Sequence, residues 1–322
     1  MLGCGVVLSE ATCVAVETNN VNGEMELTVK AFGDRARALS GKAAMNTRIV
    51  NPVFEGDIVH VNLLAPLLSY FLRKIEVTER KAVRTEVMFI LPCGAKPELK
   101  DKYMQVARQC GIGRVYFTQT PFAAVLGHNI TLSETLPVFC VDVGYGITNI
   151  AVFSLDGIIS GLSVNLGGGN IDVHIMDLLA ENFSLKIGAL TAERVKNTVG
   201  SLLDDDNKII VADGRHLKNG TPSSVAINSS DVEGVITIYV DKIIEYVTLV
   251  LSKLPAEVAS AVMHGGIYLS GGLTKMDGFP EYFSRKLSIP VNVCEEPGLA
   301  SVIGGGMILS SDYLCSKIAT QN

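Results

Sequence analysis

The chain of 322 residues carries seven cysteines but no Cys-x-x-Cys pair. Cys4, Cys13, Cys93, Cys110, Cys140, Cys294 and Cys315 are dispersed and odd in number. That pattern fits reduced, buried thiols in a cytoplasm and excludes a disulfide framework or a cysteine-rich zinc module. The five histidines show no metal-ligand spacing. No apolar run reaches the roughly 18–20 residues needed to span a bilayer. The opening MLGCGVVLSE has neither the basic region nor the cleavage pattern of a signal peptide. A Walker A loop is missing, and so is a GxGxxG fingerprint at any strand–helix junction. No segment is of low complexity, and a net charge of −6 argues against nucleic acid as the main partner. What remains is a soluble, cytosolic protein.

At 48% hydrophobic and 19% charged residues, the chain is globular and long enough for about two domains with ample core. It is organised around residues 137–155, PVFCVDVGYGITNIAVFSL. An apolar run over 138–141 ends on Asp142, Gly144, Tyr145 and Gly146 form a turn, and alternation resumes after Thr148 through Ile150, Val152 and Phe153. Two short β-rich runs around a glycine turn predict an antiparallel hairpin. Glycines there let backbone N–H groups approach an anion, and a carboxylate at the strand end could hold a metal-bound water beside a phosphate. A hairpin that simply carries Asp and Gly accounts for the same residues.

Upstream, alternation predicts strands over 5–16 and Glu24–Phe32 with a loop at 19–23, then a helix and loop over 33–47. Leu64, Leu67, Leu68, Phe71 and Leu72 set a helix over 63–75, with Pro66 in its first turn. A charged connector at 76–85 precedes a strand at Glu86–Leu91. A helix at 99–110, a strand at 114–118 and a helix with Thr120 as N-cap and Pro121 at its first position follow, an order that implies parallel βαβ units. Downstream, a strand over 158–166 runs into glycines 167–169, and helices follow at 172–183 and 191–203. An acidic, exposed stretch covers 204–208. Strands at 208–212 and 224–227 flank a polar loop, and a long helix covers 236–254. A strand at 266–269 leads into Ser270, Gly271 and Gly272, and 298–309 is a small-residue helix. Ligands of open α/β sheets bind outside strand ends. Glycine turns at 144–146, 167–169 and 271–272 are each what any tight turn wants, but three of them in one α/β chain point to a nucleotide site.

These segments, in this order, resemble the MreB family, the bacterial actin homologues that determine rod shape. VDVGYGITNIAVFSLDGII looks like that family's second phosphate loop, LGGGNIDVHI like the strand-to-helix turn after it, and TAERVKNTVGS like its adenine-contacting helix. GRHLKNGTPSSVAINSSDV is similar to the small subdomain, and LPAEVASAVMHGGIYLSGGLTKMDGF to the helix, strand and adenosine loop. The likeness covers nearly the whole chain. Chaperone ATPases and sugar kinases share the fold, but the AERVK and LPAEVA segments favour this family.

The resemblance implies an α/β, actin-like fold of two domains around a nucleotide cleft. The first domain would be 1–136, with a small subdomain at 15–56. The second would be 137–322, with a small subdomain at 183–232 and a C-terminal helix at 298–310 packing back on the first. It implies ATP and Mg²⁺ as ligands. By position, Asp142, Gly144, Tyr145, Gly146, Thr148 and Gly168 would face the phosphates, Asp142 reaching the metal through water. Glu193 and Lys196 would flank the adenine, and Ser270, Gly271 and Gly272 would pass beneath the adenosine. On residue chemistry alone, Glu193 and Lys196 are equally a surface pair three apart on a helix, worth about 0.2–0.5 kcal/mol. The resemblance also implies filaments, of this chain alone or with a typical homologue, that work with morphogenesis proteins of the membrane. Direct membrane binding is expected to be slight, because the charged residues 76–81 stand where relatives insert an apolar loop. Localisation is then cytoplasmic, with membrane association through partners.

Four departures from the family pattern fall on the phosphate side. The GIDLGT-like hairpin that opens family members has no counterpart, since residues 5–10 already resemble the strand after it, and Glu86–Leu91 is therefore expected to have an open edge. Gln119, Thr120 and Pro121 stand where the family has Glu-Glu-Pro. A threonine hydroxyl can hydrogen-bond water but cannot act as a carboxylate base, which leaves Gln119 and Thr120 as the catalytic candidates. The run 144–148, GYGIT, replaces Gly-Gly-Gly-Thr-Thr, and Gly169 replaces an aspartate. Losing one preorganised donor costs about 2.7–4 kcal/mol at a transition state. The expectation is a filament protein with a degraded ATP site, binding nucleotide weakly and turning it over negligibly. Two alternatives are a working ATPase whose first loop is encoded upstream of Met1, and a nucleotide-independent interaction paralogue.

Overall fold

The computed structural model describes residues 5–21, 24–204 and 206–321. It forms two compact units, Met1–Leu91 with Ala95–Thr118 and Ala319–Asn322, and Pro92–Gly94 with Gln119–Ile318.

In the first unit Glu24–Phe32, Val14–Val21 and Thr47–Val50 form an antiparallel sheet in that order, with a bulge at Ala15/Val16. The strand expected over 5–16 starts only at Val14. Before it, Gly5 holds φ at +65°, and Glu10 is bound to Lys74 and to the Asp34 backbone, so side chains rather than a ladder anchor this stretch. Of the loop expected at 19–23, residues 19–21 belong to the strand, while 22 and 23 lie outside the described residues, as do Cys4 and Asp205. Leu64, Leu67 and Leu72 form the buried face of helix Val61–Lys74. That helix starts earlier than its apolar spacing indicates, so Pro66 sits past the first turn, where its missing N–H leaves the Asn62 carbonyl without an i+4 donor. The helix packs with Pro97–Gln109 over a core that includes Leu91, Val106 and Phe117. A short helix, Glu79–Ala82, interrupts the charged connector. Thr320–Gln321, Arg114–Gln119 and Glu86–Leu91 make a second sheet in that order, with Glu86–Leu91 outermost among the described residues.

The second unit is built on five strands ordered Gly157–Val164, Thr148–Ser154, Val138–Val143, Ile267–Ser270 and Val291–Val293. Val138–Val143 and Thr148–Ser154 are the expected antiparallel hairpin, and Ile267–Ser270 runs parallel to both its neighbours. Thr148–Ser154 is buried along its whole length, which fits its TNIAVFS sequence, whose four central residues, 150–153, are all apolar rather than strictly alternating. Helices Gly168–Phe183, Ala189–Val199 and Ser229–Leu251 contribute Ile171, Ile175, Val195, Ile236 and Ile243 to one apolar core with Phe139, Ile150 and Leu269. Gly168–Phe183 begins before the expected Asp172, and Ala189–Val199 stops at Gly200 rather than Leu203. Ser229–Leu251 begins well before Ile236 because Asn228 and Asp231 cap its start reciprocally. Leu185–Lys186, Ile209–His216 and Pro222–Asn228 form a separate antiparallel sheet.

Helix Ala300–Leu309 lies against Thr120–Gly127, and its small residues allow the approach. A Cβ on Gly304 would stand 1.8 Å from the Ala123 carbonyl oxygen, and one on Gly127 would stand 2.0 Å from that of Ala300. Gln119, not Thr120, is the N-cap of Thr120–Gly127, so Thr120 is already helical. Among the described residues no helix is long and apolar enough to cross a membrane.

Candidate functional site

The site grows from two neighbouring strand ends in the second unit. Val138–Val143 and Ile267–Ser270 run parallel with Asp142 opposite Ser270, so two apolar runs deliver polar residues to one end of the sheet. Ser270 Oγ donates to Asp142 Oδ1 at 2.9 Å, and Asn149 Nδ2, opposite Asp142 in the hairpin, donates to Oδ2 at 3.3 Å. Asn149 is itself held, its Oδ1 accepting from the Cys93 N–H at 2.9 Å and from Ser163 Oγ at 2.5 Å. Loss of solvent around Asp142 pushes its carboxyl above the usual aspartate range, and the hydrogen bonds from Ser270 and Asn149 draw it partly back.

Behind Asp142 the chain folds onto the next helix. The Gly144 N–H closes the turn on the Ile147 carbonyl at 2.9 Å. The carbonyls of Gly144 and Tyr145 then accept from the N–H groups of Gly168 at 3.0 Å and Gly169 at 2.8 Å, at the start of Gly168–Phe183. The Gly167 N–H goes to Asn170 Oδ1 at 2.9 Å, and the Asn170 N–H returns to the Gly167 carbonyl. A Cβ on Gly167 would stand 2.6 Å from the Tyr145 oxygen, so only glycine allows this stitch. Thr148, expected to face a phosphate, is fully buried and donates its hydroxyl to the Leu166 carbonyl at 2.6 Å. It braces the turn.

Beside the turn opens a cleft of about 400 Å³. Gly144, Tyr145 and Gly168 line one side; Glu193, Lys196, Asn197 and Gly200 line another; Gly272, Leu273, Lys275, Met276 and Asp277 complete it. Six of the expected residues are therefore brought together: Gly144, Tyr145, Gly168, Glu193, Lys196 and Gly272. Asp142, Gly146, Thr148, Ser270 and Gly271 are not part of the lining. Neither are Gln119, whose Oε1 accepts the Gly94 N–H at 2.8 Å, and the buried Thr120. Asn197 and Gly200 were missed, although they continue the spacing of Glu193 and Lys196 at i+4 and i+7 and so share one helix face. Leu273, Lys275, Met276 and Asp277 follow directly on Gly272.

Asp172 was missed as well, and it changes the reading of Lys196. The lysine is only 5% exposed; its Nζ lies 2.7 Å from Asp172 Oδ1 and donates to the Gly168 carbonyl at 3.0 Å. It is a buried, paired cation rather than the surface partner of Glu193. Its ammonium also sits 5.6 Å from the centre of the Tyr145 ring. At the rim Lys275 pairs with Glu296 at 2.5 Å, and Asp277 pairs with Lys208. Gly271 holds φ at +92°, gives its N–H to the Pro297 carbonyl at 2.8 Å, and has Val143 backbone atoms 2.2–2.6 Å from where a Cβ would stand.

This lining fits a nucleoside: the apolar Leu273 and Met276 and the lysine stem offer faces for a flat ring, with Glu193 and Asn197 as polar groups beside them. The N–H groups of Gly144, Gly167, Gly168, Gly169, Asn170 and Gly271 are all committed within the protein. Among the described residues no group of three or more His, Cys, Asp or Glu side chains is gathered to hold a metal.

Comparison with known proteins gives a consistent answer. Structurally, MreB 5 of Spiroplasma citri bound to AMPPNP superposes with a TM-score of 0.88 at 24% identity, covering 96% of this chain and 91% of that one. The MamK double helical filament superposes at 0.74 with 17% identity, covering 94% and 92%. In sequence, the cell shape-determining protein MreB of Escherichia coli (strain K12) is 28% identical over 308 residues, 95% of this chain and 88% of that protein. The family model for MreB/Mbl protein matches residues 1–317. With that match reaching over both compact units up to residue 317, the chain belongs to the MreB/Mbl family and has its actin-like fold.

Proposed function

We propose that this protein is an actin-like cytoskeletal element that forms or joins filaments in cell-shape determination, with a nucleotide site altered on its phosphate side. The family match over residues 1–317 carries the reading. It is supported by the Escherichia coli relative, named for determining cell shape, and by the MamK chain, solved as a double helical filament. The sheet that includes Ile209–His216 and Pro222–Asn228, within the subdomain expected from the sequence, is intact. Sedimentation and electron microscopy, on the protein alone and mixed with a typical homologue, test it. A strict monomer in both samples rejects it.

Within this reading a nucleoside is held between Glu193, Lys196 and Asn197 on one side and Gly272 to Met276 on the other. The AMPPNP-bound Spiroplasma citri structure supports a nucleotide ligand for this fold. Turnover is negligible, because Gln119 and Thr120 supply no carboxylate to draw a proton from water. Asp142, the residue expected to reach Mg²⁺ through water, has both oxygens engaged by Ser270 and Asn149. Phosphate release above a no-protein blank, abolished by Asp142→Ala, would show the opposite. Membrane association runs through partner proteins. Arg80, Lys81 and Arg84 are exposed on the connector before Glu86–Leu91, which suits anionic headgroups and not lipid tails. Tight flotation with neutral liposomes would contradict that.

A further inference from the structure

We propose that the outer edge of Glu86–Leu91 pairs with the same strand of a second copy of this chain, antiparallel and about a two-fold axis, so that two three-stranded sheets become one. The contact lies wholly within the first unit and depends on neither the nucleotide nor the filament reading.

The strand is the last of its sheet, after Thr320–Gln321 and Arg114–Gln119, and no described strand lies on its far side. A strand so placed carries N–H and C=O groups that only water or another chain can meet. Burial also falls off toward it. Val115 and Phe117 on the inner strand are each 2% exposed, whereas Val87 and Phe89, packed on the same core, are only half-buried. The Phe89 ring centre lies 4.7 Å from that of Tyr103 and 5.9 Å from that of Phe117, so the apolar core runs out to the edge.

The other outermost strands carry guards against pairing. Glu24–Phe32 has Lys30, Thr47–Val50 has Arg48, and Pro222–Asn228 opens on a proline and two serines. Gly157–Val164 is interrupted by a bulge at Ile158/Ser160 and by Gly161. Val291–Val293 and Leu185–Lys186 are only three and two residues long. Glu86–Leu91 has none of these devices. Val87, Met88, Phe89 and Ile90 follow its single acid as an unbroken apolar run, without lysine, proline or glycine.

Charge selects the occupant and its direction. Lys81 and Arg84 are exposed just before the strand, and Glu86, paired with Arg114, opens it, while the far end is uncharged. Parallel copies would set like charges side by side. Antiparallel copies set each charged end beside the partner's apolar end. A two-fold axis through Met88 does this with one self-complementary patch. Met88 then stands opposite Met88, Glu86 opposite Ile90, and Val87 opposite Phe89, a β-branched residue against an aromatic, which is a favourable pair. Val87 and Phe89 of both copies share one side of the joined sheet, so the two cores meet across the seam.

Sedimentation equilibrium of the full chain, with hydrogen exchange of the 87–90 amides at low and high protein concentration, tests the proposal. The expected result is a dimer with a dissociation constant on the order of 10 µM, in keeping with a short seam. The amides should exchange at least about tenfold more slowly in the concentrated sample. Met88→Lys sets two ammonium groups against each other at the axis. It is expected to weaken the dimer at least about tenfold and to remove the concentration dependence of exchange. Met88 is half-buried and outside the buried core, so the variant should fold, which circular dichroism checks. Met88→Cys keeps a small apolar side chain there and gives a second readout: a short bismaleimide should join position 88 to position 88 of another copy, as mapped by peptide mass. A monomer whose 87–90 amides exchange freely overturns the pairing. A monomer with those amides protected shows the edge covered by its own chain and overturns the second copy as occupant. Assembly unchanged in Met88→Lys, or no cross-link between the two positions 88, places the contact elsewhere and overturns it as well.

Discussion

Two neighbouring parallel strands of the second unit end in glycine turns, and the two turns use glycine for different reasons. After Ile267–Ser270, Gly271 stands at φ +92° with the Val143 backbone where a side chain would begin. Its identity is dictated by main chain, which cannot move aside. The turn after Val138–Val143 is stitched to the start of Gly168–Phe183, where the nearest atoms over Gly169 belong to the far end of the Tyr145 side chain, and neither Gly168 nor Gly169 has a positive φ. The first turn is therefore fixed by backbone geometry. The second is fixed by main chain at Gly167, but at Gly169 it is governed by side chains that exchange volume and charge, so its chemistry there can change while the fold stays intact. Two of the four departures expected from the sequence, at 144–148 and at Gly169, fall at the second turn, and none falls at Ser270, Gly271 or Gly272.

The largest expected effect tests the side-chain half of this contrast. Lys196→Met leaves Asp172 buried without its cation and the Gly168 carbonyl without its donor, and should cost about 3–5 kcal/mol in urea denaturation. Replacing both partners, as Lys196→Met with Asp172→Leu, should recover most of that, since a buried pair is often matched by apolar residues of similar volume. A single substitution costing less than about 1 kcal/mol would mean the ion pair does not hold the turn.

The backbone half is tested by Gly271→Ala. A methyl group there meets the Val143 main chain, and alanine is strained at that φ. A loss of about 2–3 kcal/mol is expected, read as a lower denaturation midpoint with an unchanged slope. A loss under about 0.5 kcal/mol would remove the distinction between the two turns.

The sequence disclosed these two turns unequally. The hairpin was legible because apolar runs on either side of Gly144 and Gly146 leave few alternatives to two paired strands, and Asp142 and Ser270 were legible as the polar residues on which two such runs end. One face of Ala189–Val199 was legible through Glu193 and Lys196, and the same spacing would have reached Asn197 and Gly200. Thr148 was misplaced because a hydroxyl serves a phosphate or a carbonyl equally well. Only the chain path showed that the carbonyl of Leu166 was within reach. The burial of Lys196 was hidden because Asp172 sits on a different helix, and local spacing cannot pair residues on separate elements. The start of Ser229–Leu251 was readable in Asn228 and Asp231, a capping pair that apolar periodicity overlooks. The demand for glycine at 271 came from the parallel register that sets Val143 beside it, which no local pattern encodes.

The smallest expected effect is the sharpest probe of the contrast, because it asks whether Tyr145 and Gly169 share one volume. Gly169→Ala in the wild type brings a methyl to about the distance at which the ring must yield by a few tenths of an ångström. Alanine is also the better helix former, by up to about 1 kcal/mol in a helix interior and less in a first turn. The two terms oppose each other, and the net change should stay within about 0.5 kcal/mol. In a Tyr145→Ala background the ring is gone and the helix term acts alone, so the same substitution should stabilise. The cycle formed by Tyr145→Ala, Gly169→Ala and their combination should therefore show a coupling of about 0.5–1 kcal/mol. Gly271→Ala combined with Tyr145→Ala should be additive, since the obstacle at Gly271 is the Val143 backbone and does not change when the ring is removed. Zero coupling in the first cycle would mean that the ring's position over Gly169 carries no energy. Strong coupling in the second would mean that the two strand ends act as one structure and that main chain and side chain do not divide the labour between them.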